Sequence, residues 1–363
     1  MRHKQFGVAI VGAGNIGSYR AGTAASHPGV DYLAISDRDP TRAEKLGMDF
    51  KADLVSADNN EVIHDDRVGA VIVSTSEPEH ARPVIEALRL GKPVFVEKPI
   101  ALTLEDADRM IEASDKGGAS LHVGYSLRFN RSYLVGKQQI LDGKLGRIVG
   151  GMARHYHTKA NGLKIIERSV EATFVKDALT YLVDLYGWFL EDVTPVEIVA
   201  RSHGLAYRNL GHDADEAVWA IVTYSDGTVV SLGLGYALPS NYPSHGRLVR
   251  TEILGEKGVL FFDGDHRENI IHSEEGVLSA YVGRQTETGF LTSNASGNWA
   301  LGQYWGPLAE ETRSWLDFLS TGRLAPHTTA REARVNLEVT LAIERAAATK
   351  EVVKLSSAGD NRR

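Results

Sequence analysis

The chain contains no cysteine in 363 residues. That excludes disulfides, thiolate metal sites and a cysteine nucleophile together, and it fits a reducing compartment. No apolar run approaches the roughly 18 residues a membrane-spanning helix needs. The opening MRHKQFGVAIVGAG carries an apolar run too short for a signal-peptide core, and it breaks at glycines. The expectation is therefore a cytoplasmic protein with no membrane partner. A block of lysines and arginines is also missing, and the formal net charge is −7, so no nucleic-acid partner is expected. Low-complexity segments and repeats are absent too. What remains is a soluble globular composition, 43% hydrophobic and 24% charged. The length exceeds what one core usually supports, which implies two domains.

Over the first 125 or so residues, short β-branched runs alternate with amphipathic helical patterns. The runs are Phe6–Val11, Tyr32–Ser36, Ala70–Ser74, Pro93–Glu97 and Leu121–Gly124, with helices expected at Glu79–Leu90 and Leu104–Lys116. Thr103-Leu-Glu-Asp106 reads as a capping box for the second helix. Strands separated by helices imply βαβ units and a parallel sheet buried on both faces. After about residue 147 the runs become longer and alternate: Ile148–His155, Val196–Ser202, Ala217–Tyr224, Thr228–Tyr236, Leu248–Leu254 and Gly258–Phe262. Asp226-Gly227 between two of them is a hairpin signal. One helix is expected at Phe174–Phe189 and two more at Glu310–Leu319 and Arg331–Thr349. The expected architecture is an α/β Rossmann domain over 1–125, followed over 126–363 by an α+β domain for substrate binding and oligomerisation. That second domain should hold a large, mostly antiparallel open sheet, and the C-terminal helices have the option of packing back on the first domain.

Gly12-Ala-Gly14-Asn15-Ile16-Gly17 directly follows the first strand and opens a helical pattern. The first glycine permits a tight turn, the second lets the backbone approach a pyrophosphate, and the third lets helix pack on strand. The amides at Asn15 and Ile16 then face the phosphates. An acidic residue, Asp37, ends the next strand twenty residues after Gly17. Its carboxylate is placed to accept from both ribose hydroxyls and to repel a 2′-phosphate, which favours NAD. The neighbouring Arg38 leaves NADP open, because a guanidinium pairs with that phosphate.

Two further segments stand at strand ends: Ser74-Thr75-Ser-Glu-Pro-Glu-His80 and Val96-Glu97-Lys98-Pro99. Together with the glycine turn they resemble the Gfo/Idh/MocA oxidoreductases, and the resemblance extends over nearly the whole chain. It includes Tyr125-Ser-Leu-Arg128-Phe129, the Asp213–Tyr236 hairpin pattern and the Leu254-Gly-Glu-Lys-Gly258 turn. The resemblance implies an NAD(P)-dependent dehydrogenase acting on CH–OH groups. It also implies that Ser74, Thr75, His80, Glu97 and Lys98 surround the cofactor, with His80 otherwise structural. By the same resemblance Lys98 reaches the reacting oxygen, where an ammonium stabilises a developing alkoxide. A solvated surface lysine is the bland alternative. A cis bond at Lys98–Pro99 is allowed but not readable from sequence.

The segment Asp177-Ala-Leu-Thr-Tyr181-Leu-Val-Asp184 is apolar nearly all round, so its carboxylates need partners. Asp177 and Tyr181 share a helical face. Members of the family commonly carry a Gly-Gly-Gly run and then Asp-x-Gly-x-His here, with Tyr in place of His in some. The resemblance makes Tyr181 the general acid/base and Asp177 a residue that binds a substrate hydroxyl or orients the lysine. A phenol has a reference pKa near 10, which a nearby ammonium lowers. Glu171-Ala-Thr173 replaces the triple glycine, Leu179 replaces the next glycine, and Lys176 adds a charge. An ordinary buried Tyr181 with Asp177 as helix N-cap remains the alternative.

His155-Tyr-His157 places two imidazoles on one strand face. With no third ligand at suitable spacing, no metal is expected, and Arg154 or His155 is read as a substrate contact. Tyr125 and Arg128 either line a cleft or serve packing, and Trp299–Trp305 reads as a seam or oligomer contact. Three function classes follow. The first is a dehydrogenase of a small polyhydroxylated substrate such as a sugar, cyclitol or sugar derivative. The others are a non-catalytic NAD-binding sensor and an NAD-assisted glycosidase that uses Glu171. An open apolar sheet face needs a cover, so a homodimer or homotetramer is expected.

Overall fold

The computed structural model describes residues 4–168, 171, 173–240, 247–264, 269–278, 285–292, 298–300 and 303–355. The chain forms two compact units, residues 1–129 with 297–337 and residues 130–296 with 338–363.

The first unit runs β1 (Phe6–Val11), α1 (Asn15–Ala25), β2 (Val30–Ser36), α2 (Pro40–Phe50), β3 (Leu54–Ser56), α3 (Asn59–His64), β4 (Val68–Val73), α4 (Ala81–Arg89), β5 (Val94–Glu97), α5 (Leu104–Gly117) and β6 (Leu121–Gly124). These six strands pair in parallel in the order β6-β5-β4-β1-β2-β3. Continuous apolar runs such as FGVAIV suit this arrangement, because both faces of the sheet are covered. Thr103 caps α5 through the Asp106 N–H at 3.1 Å, while the Asp106 carboxylate turns back to the Thr103 hydroxyl rather than to its amide.

The second unit continues with α6 (Arg131–Leu141), β7 (Ile148–Thr158), α7 (Lys159–Arg168), α8 (Thr180–Phe189), β8 (Pro195–His203), β9 (Ala217–Tyr224), β10 (Val229–Leu238), β11 (Arg247–Gly255), β12 (Gly258–Asp263), β13 (Asn269–Leu278) and β14 (Gln285–Thr292). The remaining elements are β15 (Asn298–Ala300), β16 (Gln303–Trp305), α9 (Pro307–Thr321), β17 (Thr328–Thr329), α10 (Ala330–Thr349) and β18 (Val353–Lys354). Among the described residues the second sheet has nine strands in the order β14-β13-β12-β11-β7-β10-β9-β8-β18, and only β7 with β10 run parallel. Gly227, with φ +88°, makes the expected turn between β9 and β10.

One face of this sheet is buried through Ala153, Ala200, Val222, Leu232, Ile253 and Phe262. The other presents exposed apolar side chains in register, with Ile221 and Met152 both opposite Ser231, and Glu252 opposite both Met152 and Phe261. β17 adds antiparallel to β6, and Trp315 and Leu316 of α9 enter the core of the first unit beside Val8, Ile10 and Phe95.

Candidate active site

In the first unit the glycine turn is built by steric demand. Gly12 has φ +102°, and a Cβ there would meet the Ser74 carbonyl oxygen at 2.6 Å. A Cβ on Gly17 would fall 1.9 Å from the Gly12 carbonyl oxygen, so helix α1 approaches the strand only with glycine there. Gly14 faces open space and caps α1 with no side-chain acceptor, which leaves the first amides of the helix for an anion. Asn15 and Ile16 are exposed at that end. Asp37 braces the turn, accepting from the Ala13 N–H at 2.7 Å and the Asp39 N–H at 2.9 Å, while Arg38 is exposed.

The hydroxyls of Ser74 and Thr75, just past the end of β4, are buried with no hydrogen-bond partner. Orphaned hydroxyls are costly inside a protein and mark a place where a ligand completes them. β4 and β5 pair with Val73 opposite Val96, so Lys98 emerges at the same sheet edge as Thr75. The Lys98–Pro99 bond is cis. Buried His80 lies 3.0 Å from the Pro99 carbonyl oxygen through Nδ1 and 3.3 Å from the Thr75 carbonyl oxygen through Nε2. Desolvation lowers its pKa, so the neutral ring donates one hydrogen bond, and the shorter contact to Pro99 takes it. Through that one bond His80, in the segment that follows β4, holds the turn after β5. Glu97 is buried against Arg20. The donor set of open helix amides, orphan hydroxyls, a braced turn and a lysine fits a dinucleotide.

Tyr125 is buried, and Arg128 is committed to Glu332 at 3.0 Å.

In the second unit the expected helix over Phe174–Phe189 begins with a π-helical turn, Val175–Leu179, before α8. A single π-turn of this kind commonly sits at functional sites, and it displays Asp177 at its centre. Both Asp177 oxygens are engaged, Oδ2 by the Tyr236 hydroxyl at 2.7 Å and Oδ1 by Arg168 at 3.2 Å. Burial, then the Asp177 charge, pushes the Tyr236 pKa well up, so the phenol stays a donor. His157 stacks on Tyr236 at 4.5 Å and His155 lies 4.2 Å from His157. Tyr181 sits edge-on to His155 at 6.4 Å, and His155 Nδ1 is 3.4 Å from the Ala178 carbonyl oxygen.

Asp177, Tyr181, His155 and Tyr236 thereby form one polar and aromatic cluster. Arg154 does not join it: strand alternation turns it to the other sheet face, with its guanidinium 5.7 Å from the Tyr156 ring. Among the described residues no group of three His, Asp or Glu stands close enough to hold a metal ion. No described helix is long and apolar enough to cross a membrane.

The model of an oxidoreductase family with an NAD-binding Rossmann fold matches residues 6–125, and the model of the GFO/IDH/MocA C-terminal domain matches residues 133–261. The chain belongs to the Gfo/Idh/MocA family. Among curated relatives, inositol 2-dehydrogenase of Acidothermus cellulolyticus is 30% identical over 255 residues, covering 70% of this chain and 71% of that protein. The scyllo-inositol 2-dehydrogenase (NAD(+)) of Bacillus subtilis is 26% identical over 289 residues, covering 77% and 78%. The fold matches scyllo-inositol dehydrogenase from Lactobacillus casei, solved with NAD(H) and scyllo-inositol, with a TM-score of 0.77 over 98% of this chain and 100% of that one, at 19% identity.

The segment that departs from the Gfo/Idh/MocA glycine run is anchored rather than open. Thr173 donates to Glu344 of α10, and Lys176 Nζ lies 3.4 Å from the same carboxylate; Ala172 lies outside the described residues. Glu171 is exposed. Tyr236 and Arg168 were not singled out from the sequence.

Proposed function

We propose that this Gfo/Idh/MocA oxidoreductase reversibly oxidises a secondary alcohol of a sugar, cyclitol or sugar derivative, using NAD. The observation that carries the reading is the shared exit of β4 and β5, where orphan Ser74 and Thr75 hydroxyls stand at the sheet edge that presents Lys98. In open α/β sheets, ligands bind outside those carboxyl ends. The nicotinamide, when bound, supplies the hydride acceptor at its C4. Asp177 holds a substrate hydroxyl, Lys98 stabilises negative charge on the carbinol oxygen, and Tyr181 removes the hydroxyl proton. As the C–H bond gives up its hydride, the oxygen becomes a carbonyl, and one proton leaves through Tyr181. The relatives' inositol substrates support a ring bearing several hydroxyls.

The same reading places the protein in the cytoplasm, in keeping with its lack of cysteine. It also covers the exposed Trp219, Ile221, Met152 and Phe261 face with a second copy in a homodimer or tetramer.

Purified enzyme with NAD or NADP and a panel of cyclitols and sugars, followed by absorbance of the reduced cofactor, tests the reading. NADH formation that Lys98→Met abolishes supports it. Nucleotide binding without turnover supports a sensor. Glycoside cleavage without accumulating NADH supports the glycosidase alternative.

A further inference from the structure

A charged cluster lies inside the first unit, directly behind the lysine. Arg20 of α1 is 0% exposed, and its guanidinium donates four side-chain hydrogen bonds. Nε donates to Glu97 Oε1 at 2.8 Å and Nη2 to Glu311 at 2.7 Å, while Nη2 also pairs in charge with Glu97 Oε1 at 2.7 Å. Nη1 takes the Thr312 hydroxyl at 2.7 Å and the Leu308 carbonyl oxygen at 3.3 Å. The guanidinium lies 4.5 Å from the Phe95 ring centroid. Glu311 is itself buried, and its carbonyl oxygen lies 3.2 Å from His327 Nε2. Room for the pair exists because residue 124 is glycine: a Cβ there would fall 3.0 Å from Arg20 Nη2 and 3.2 Å from Glu97 Oε2.

Burying one cation and two carboxylates is a poor route to stability, since well-packed apolar replacements of such groups are often neutral or better. Such a cluster does fix geometry, because a guanidinium fork accepts few arrangements of its carboxylates. One of its members is Glu97, the last residue of β5, joined by one peptide bond to Lys98. We infer that Arg20 and Glu311 are positioning residues for Lys98: they clamp the Glu97 carboxylate from α1 and α9, and so set the backbone from which the lysine leaves the sheet. Glu97 is then occupied by Arg20 and is not a cofactor ligand, and α9, which follows the second sheet in sequence, completes the catalytic edge of the first. This inference rests on the dehydrogenase reading for its kinetic consequence only.

The test uses full-length enzyme carrying Glu311→Gln, Arg20→Met or Arg20→Lys, with Leu316→Ala as a control that loosens α9 without touching the cluster. With a responding polyol, Glu311→Gln and Arg20→Met are expected to lower kcat roughly ten- to a hundredfold, the scale of a lost charge-assisted hydrogen bond. The polyol KM and NAD Kd should stay within about threefold, and Arg20→Lys should recover part of the loss. Leu316→Ala should lower the melting temperature and keep kcat.

A second readout needs no turnover. In protein reductively methylated with 13C, the Lys98 resonance (assigned by its loss in Lys98→Arg) should shift or broaden in Glu311→Gln. If the wild type oxidises no polyol, the dehydrogenase reading fails, and this resonance still decides the positioning role. Should Arg20→Met not fold, Glu311→Gln carries the test. A variant that loses stability but keeps both kcat and the Lys98 resonance overturns the inference.

Discussion

The candidate residues of the two units are held in different ways. In the first unit the parts are set by backbone: a glycine turn with no space for a Cβ at Gly12 or Gly17, and a His80 bond to the Pro99 carbonyl oxygen after β5. In the second unit they are set by side chains holding side chains, with Asp177 gripped by Tyr236 and Arg168, His157 stacked on Tyr236 and His155 tilted against His157. Backbone constraint suits the unvarying phosphates and ribose of a dinucleotide. A side-chain cluster is open to replacement one residue at a time, which suits the part that must match a particular arrangement of hydroxyls.

Substitutions sharpen that contrast, beginning with the largest effect. Tyr181→Phe keeps the ring and removes the proton acceptor, so kcat should fall roughly 10²- to 10⁴-fold with NAD affinity unchanged, measured by steady-state kinetics alongside cofactor titration. Gly17→Ala should do the reverse: its Cβ collides with backbone, so the NAD Kd should rise roughly ten- to a hundredfold by fluorescence titration. Equal effects of the two variants on both quantities would break the division into a cofactor half and a substrate half. Tyr236→Phe frees one oxygen of Asp177, and kcat/KM for the polyol should drop about tenfold, again with NAD binding intact.

The last effect is on stability rather than on turnover, and it belongs to the first unit. Burial lowers the pKa of His122 to about 4 and of His327 to about 3, from 6.5. Both are neutral in the fold, so above pH 6.5 neither changes stability with pH. As pH falls below 6.5 the unfolded chain takes up protons that the native state refuses, and stability is lost at up to about 1.4 kcal/mol per pH unit per histidine. That loss continues down to about pH 4 for His122 and about pH 3 for His327. Denaturant midpoints between pH 7 and 4.5 check this, and His327→Gln should flatten the slope.

The sequence alone was most legible where the requirement is local. Gly12 and Gly17 answer to steric demands of a few neighbouring atoms, so strand, turn and helix follow from the spacing. The short edge strand β3 and helix α7 carry too few periodic residues to stand out, and the polar β14, QTETGFLT, is a strand through pairing with β13 rather than through its own pattern. The π-turn before α8 is invisible to a search for α-helical period. Arg154 was grouped with His155 because they are adjacent, and the pleat that separates them is a property of the folded strand. Arg20 was missed because an arginine in a helix reads as solvated surface. Its neighbours in RAGTAA are nearly all small, the one hint that this helix packs closely against the sheet.

The most direct test of hydride transfer is to supply a responding polyol with deuterium on the reacting carbinol carbon and examine the cofactor by mass spectrometry. The account predicts one deuterium on the nicotinamide for each ketone formed, with Lys98→Met giving none. Product that forms without label reaching the cofactor would contradict it.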